Sequence, residues 1–125
     1  DLLRKSNDQT GLAMVLNTLG GVYQRQNELP KAMAALEESA KLGRILNDHK
    51  HLAMVFSTLG RTLENQKKYE EALEKYKESF ELNVQNNHPK GVEIVLKNLV
   101  RILRKLGKAD EIADYERRAQ AVQWR

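Results

Sequence analysis

Apolar residues recur along this chain at helical spacing and, on a longer scale, every forty residues. In the second forty, Leu52, Val55, Phe56, Leu59 and Leu63 follow the i, i+3, i+4, i+7, i+11 order of one helical face. The polar stretch NQKKYEE interrupts the pattern, and Ala72, Leu73, Tyr76 and Phe80 then carry a second stripe. Taken along the chain, the stripes predict helices near residues 12–26, 30–46, 51–67, 70–86, 91–106 and 109–123. Pro30 and Pro89 fall at expected helix starts, where a missing N–H costs nothing. Asparagines in NDHK and NNHPKG suit the left-handed backbone that ends helices.

The longer period is visible in the letters. LAMVLNTLGG at Leu12–Gly21 returns as LAMVFSTLGR at Leu52–Arg61. Val15, Val55 and Val95 share a column, as do Leu19, Leu59 and Leu99, and Asn7, Asn47 and Asn87. A period of this size without gaps means a stack of like supersecondary units, each burying its apolar face on the next. The chain is therefore expected to be all-α: a solenoid of antiparallel helix hairpins spanning 1–125. Residues 1–10 are expected to be the tail of a preceding unit, with units at 11–50, 51–90 and 91–125. On that division the chain begins in mid-unit, as a piece of a longer array.

The columns resemble the tetratricopeptide repeat. That family places a large apolar residue, Leu-Gly and an aromatic on the first helix, then Ala, an aromatic and a small residue on the second. The first row carries Leu16, Leu19, Gly20, Tyr23, Ala32, Leu36 and Ser39; the second carries Phe56, Leu59, Gly60, Leu63, Ala72, Tyr76 and Ser79. KKYEEALEKYKES is a specific match. The family's usual period is about 34 residues; forty resembles its long-helix variety, found in cell-polarity adaptors and in sensor regions of bacterial signalling ATPases. The resemblance implies a right-handed α-α superhelix of about three units and no enzymatic activity. Close packing accounts for the columns: Gly20 and Gly60 are expected to admit the second helix where Ala32 and Ala72 face them. The third row departs, with Val100 for Gly, Ile112 for Ala, and Tyr115 one place ahead of Glu116 in the aromatic column. Its helix pair is expected to sit further apart or rotated.

Composition narrows the chemistry. Apolar residues make up 41% and charged residues 30% of the 125, and there is no cysteine, so neither disulfides nor thiolate metal sites are available. No apolar run is long enough to span a bilayer, and a cytoplasmic, membrane-free setting is expected. His49 and His51 flank a unit junction beside Asp48 without a third ligand, and His88 sits before Pro89; all three fit solvated junctions, and no metal or cofactor is expected. Glu64–Lys68, Glu71–Lys75, Glu93–Lys97 and Asp114–Arg118 stand at i, i+4 spacing, where pairing is worth a few tenths of a kcal/mol. No nucleophile triad, phosphate loop or general-acid pair is present, so no catalytic residue is expected.

Candidate chemistry lies on the first-helix face opposite the main stripe. Met14, Met54 and Ile94 share a column there, expected to pack between units. In tetratricopeptide arrays this face lines a concave groove for extended peptides. The partner-binding residues it would supply here are Asn17, Gln24, Ser57, Arg61, Lys97, Asn98, Arg101, Arg104 and Lys105. Its charge runs +1, 0 and +4 over the three units, equal in the third to the net charge of the chain. Arg101, Arg104 and Lys105 lack an i−4 acid and are expected to be free for a partner's carboxylates. Asn98 matches the column where long-repeat adaptors set an Asn against a bound backbone. Positions of the chaperone-tail clamp carry Asn17, Gly21, Thr58, Ile94 and Asn98, and four of the five differ from it. The expected partner is an extended, acidic protein or peptide segment. Nucleic acid is disfavoured, because no aromatic lies on this face to stack bases. The rival is a regulatory or self-associating segment of a larger signalling protein, joined through exposed unit ends, with Trp124 as a contact or cap.

Overall fold

A computed structural model describes residues 2–122; Trp124 lies outside them. The chain folds into α1 (Leu2–Arg25), α2 (Leu29–Ile45), α3 (His49–Asn65), α4 (Tyr69–Gln85), α5 (Pro89–Lys105), a single 3-10 turn (Ala109–Glu111) and α6 (Ile112–Gln120). Each helix packs on its neighbours in sequence, and α1 also touches α3, so the chain is an all-helical repeat solenoid. Among the described residues there is no strand, and no helix is long and apolar enough to cross a membrane.

A left-handed residue closes each of the first five helices, at Asn27, Asn47, Lys67, Asn87 and Gly107, with φ between 50° and 72°. They are spaced by twenty residues, half the repeat. At every one, the next residue's N–H reaches back to a carbonyl five earlier, as from Lys68 to Leu63 (2.9 Å) and from His88 to Asn83 (3.0 Å). These bonds satisfy carbonyls that a helix end would otherwise orphan. Pro30 and Pro89 do stand in the first turns of α2 and α5. Asp48 caps α3, its carboxylate accepting from the His51 N–H at 3.1 Å.

The first helix differs from expectation. Residues 2–10 run without a break into α1, 24 residues long. The Asn7 column, left-handed at Asn47 and Asn87, is helical here. At the later junctions the turn is fixed by a helix folding back on its neighbour. Among the described residues nothing offers α1 such a surface, and propagation, one bond per residue, continues.

Two apolar clusters fill the interior. Leu36, Ala40, Leu52, Val55, Phe56 and Leu59 join α2 to α3. Leu73, Tyr76, Phe80, Val95, Leu99 and Ile102 dominate the second, which joins α4 to its neighbours. The glycine column works as a close approach, but against a different residue from the expected alanine. A Cβ at Gly60 would lie 2.6 Å from the Tyr76 ring, and one at Gly20 would collide with Leu36. Ala32 and Ala72 are fully buried beside these contacts. Within each of the first two units a serine fastens the second helix to the first: Ser39 Oγ donates to Ala13 O (2.6 Å) and Ser79 Oγ to Ala53 O (2.7 Å).

The third unit keeps neither the glycine nor the serine, and its second α-helix has only nine residues. The one-place shift of its aromatic has a use. Tyr115 meets Phe80 of α4 edge to face, centroids 5.1 Å apart, while Arg118 stacks on Phe80 and pairs with Glu81 at 2.7 Å. Glu116, left in the aromatic column, is exposed.

Candidate interaction groove

Helices α1, α3 and α5 line a cleft of about 650 Å³ that also reaches the end of α4. Its apolar walls include Met54 and Ile94, which are 52% and 49% exposed. Their column was expected to pack between units. Lying about 200° from the main stripe, it points into the open cleft instead, and Met14 is likewise exposed. Lys50 and Arg61 supply positive charge, both exposed and in no ion pair among the described residues. Among the described residues no Asp or Glu lines the cleft. Asn17 Oδ1 and Asn86 Nδ2, on two lining residues, are buried without a hydrogen-bond partner among the described residues.

Of the residues read from the sequence, Asn17, Ser57 and Arg61 line this cleft. Gln24 is half-buried, and Lys97 and Arg104 are exposed; all three lie outside it. Asn98 is buried, its Oδ1 accepting from Arg101 Nη2 at 2.9 Å. Arg101 and Lys105 are not free, contrary to expectation. Arg101 forks onto Glu64 of the preceding unit, Nε to Oε2 at 2.8 Å and Nη2 to Oε1 at 2.7 Å. Lys105 Nζ stands 3.9 Å from the same carboxylate and over the Tyr69 ring. The Tyr76 hydroxyl donates to Glu64 as well, at 2.9 Å. The Arg101 hydrogen bonds, opposed by burial and aided by Tyr76, hold the Glu64 carboxyl below its ordinary value. Burial first, then Glu64, pushes the Tyr76 phenol far up, and Glu64 raises Arg101.

Among the described residues none of the four expected i, i+4 ion pairs forms. Lys75 pairs with Glu78, Asp114 with Arg117, and Arg118 with Glu81. A local pair is worth only a few tenths of a kcal/mol, and at Glu64, Lys75, Asp114 and Arg118 a better-placed group on a neighbouring turn or helix takes the charge.

The unit junctions also differ from a solvated loop. His51 is 4% exposed, with Nε2 2.8 Å from Ser39 Oγ. Because that hydroxyl already donates to Ala13 O, the ring nitrogen must be the donor. Room for the imidazole comes from Gly43, where a Cβ would stand 3.1 Å from His51 Cδ2. At the next junction the pair is exchanged. Asn83 replaces Gly43 and Gly91 replaces His51. Asn83 Nδ2 donates to Ser79 O (3.0 Å) and approaches Ser79 Oγ (3.4 Å), while a Cβ at Gly91 would fall 2.7 Å from Asn83 Cγ. The same serine is thus served from the following helix at one junction and from its own helix at the other. Among the described residues no group of three His, Cys, Asp or Glu could hold a metal.

Lys50, Asn86 and Gly91 belong to the cleft and were missed by the sequence reading. Asn86 stands in the column of Leu46, and that polar-for-apolar change was the available signal. Compared with known families, residues 11–85 match the model of the tetratricopeptide repeat. Among curated proteins none matches the chain.

Proposed function

The chain belongs to the tetratricopeptide repeat family, whose repeats generally mediate protein–protein contacts without catalysis, and on that footing we propose that it holds an extended acidic segment of a protein partner in the groove. One observation carries this: among the described residues, a cleft whose two cations, Lys50 and Arg61, form no ion pair and whose lining holds no carboxylate. Lys97 and Arg104, exposed on α5, extend the positive surface beyond it. Arg101 and Lys105 serve mainly to join the second unit to the third through Glu64. Among the described residues no tyrosine, phenylalanine or tryptophan lines the cleft, which favours a peptide over a stacked nucleic-acid strand.

Selection from a random nine-residue peptide library tests the proposal. The parent is expected to enrich Asp and Glu, with binding that weakens as salt rises. Arg61→Glu should abolish the enrichment, while Lys41→Glu, on the exposed side of α2, should leave it. A selected pool with no acidic bias, or one indifferent to Arg61→Glu, would overturn it.

A further inference from the structure

Given the groove reading above, we infer that one column of the repeat, Gln24 and Glu64, decides which arginine of the groove an acidic ligand can reach. Arg61 and Arg101 are the same residue in the same column, and both are exposed. Yet Arg61 forms no ion pair among the described residues, while Arg101 forks onto Glu64. The difference lies one first helix back. Glu64 on α3 precedes Arg101 on α5 by 37 residues. The residue at the same interval before Arg61 is Gln24, on α1, which touches α3. A neutral amide offers one acceptor oxygen and no charge, so it cannot make the two-oxygen fork that a carboxylate makes. The residue that aims the acid changes as well: Tyr76, whose hydroxyl donates to Glu64, is replaced by Leu36 in the first unit.

Glu64 is thus a built-in competitor of the ligand's carboxylate. It holds the Nε–Nη2 edge of Arg101, the edge a partner's carboxylate would need for two parallel bonds, and Asn98 Oδ1 takes a further bond from Nη2. Its side chain is 11% exposed, against 44% for Arg101 and 46% for Lys105, so a ligand meets the two cations with a carboxylate already set among them. One of their two positive charges is cancelled. A second carboxylate brought to Arg101 would be repelled by the first at short range. An acidic position of the ligand is therefore read by Arg61 and not by Arg101.

Two measurements test this, and the first needs no ligand. In isotope-labelled protein, nuclear magnetic resonance should find the Arg101 Nε–H exchanging slowly with water and that of Arg61 exchanging fast. Glu64→Gln should speed the first, and Gln24→Glu should slow the second. The random nine-residue library is then selected on the parent and on both variants, each shown by far-UV dichroism to be folded. Glu64→Gln should add an acidic position to the pool, and its consensus peptide should bind that variant about fivefold more tightly than the parent, the worth of one exposed ion pair. Adding Arg101→Gln should remove the gain. Gln24→Glu should weaken the parent's own consensus peptide by about fivefold. This second variant, an isosteric change at a half-buried position, guards against a Glu64 variant that loses its α3–α5 contact. Fast Arg61 exchange in the Gln24→Glu protein, or parental binding in either folded variant, would overturn the selector while leaving the groove reading intact. A parent pool without acidic bias would overturn both.

Discussion

Gly91→His alone should be far more damaging than the same change made together with Asn83→Gly. The imidazole would enter space held by the Asn83 carboxamide, where even a Cβ falls 2.7 Å from Cγ. Overpacking of this kind costs about 1–3 kcal/mol. Asn83→Gly alone removes the donor to Ser79 O and places glycine inside α4. The lost hydrogen bond costs about 1 kcal/mol and the glycine about another 1. Independent effects would therefore sum to roughly 3–5 kcal/mol. In the double variant the clash with Asn83 is gone, the exposed His88 ring, whose Nδ1 stands 2.5 Å from the same Cβ, has still to swing aside, and the new ring can donate to Ser79 Oγ as His51 does to Ser39. The glycine penalty in α4 is partly offset by removing a glycine from α5, and with the shift of His88 the net cost should be about 1–2 kcal/mol, still well below the sum. Urea unfolding of the parent, both single variants and the double variant, followed by far-UV dichroism, gives the coupling directly. A double variant that loses the sum of the single losses within about 0.5 kcal/mol would mean that the two positions do not share one space.

What the letters reveal is what each unit must do alike. Val55 and Val95 are buried in the same way because each sits on a first helix pressed against the preceding second helix, so their column is legible without coordinates. The left-handed turns are half legible. Asn47 and Asn87 announce theirs, but Lys67 adopts the same backbone with no side chain suited to it, held by the ends of α3 and α4. Ion pairing was misread because spacing along one helix says nothing of which helix lies alongside. Glu64 and Arg101 are 37 residues apart and meet only once α3 and α5 are stacked. Asn17, Ser57 and Arg61 line the cleft, since helical geometry alone puts them opposite the core. Lys50 and Gly91 escaped because they stand at junctions, where the angle between units decides what faces outward.

Lys67→Asn should raise stability by about 0.5–1 kcal/mol in the same urea assay, because asparagine tolerates the left-handed backbone that lysine pays to adopt; an unchanged or lower midpoint would count against strain at this turn. Glu64, whose folded-state carboxyl lies below its ordinary value of 4.5, stabilises the fold above that pH, and the gain is lost as pH falls through the folded value. The stability difference between the parent and Glu64→Gln should therefore shrink on acidification below about pH 4.5; a difference independent of pH would rule out the Arg101 pair as its source. The sharpest comparison uses one letter in one column. Leu19 and Leu59 end identical TL pairs forty residues apart, yet Leu59 is 3% exposed, covered by α2, and Leu19 is 37% exposed on the open side of α1. Truncating a buried leucine costs about 2–5 kcal/mol, through lost transfer energy and the cavity left behind. At Leu19 much of the side chain is already in water and no complete cavity can form, so Leu19→Ala should cost about 1 kcal/mol or less. Unfolding midpoints of the two variants measured side by side decide the matter. Equal losses would mean that in solution something covers the α1 face as α2 covers α3, and sedimentation of the parent across concentration would then show whether that cover is a second copy of the chain.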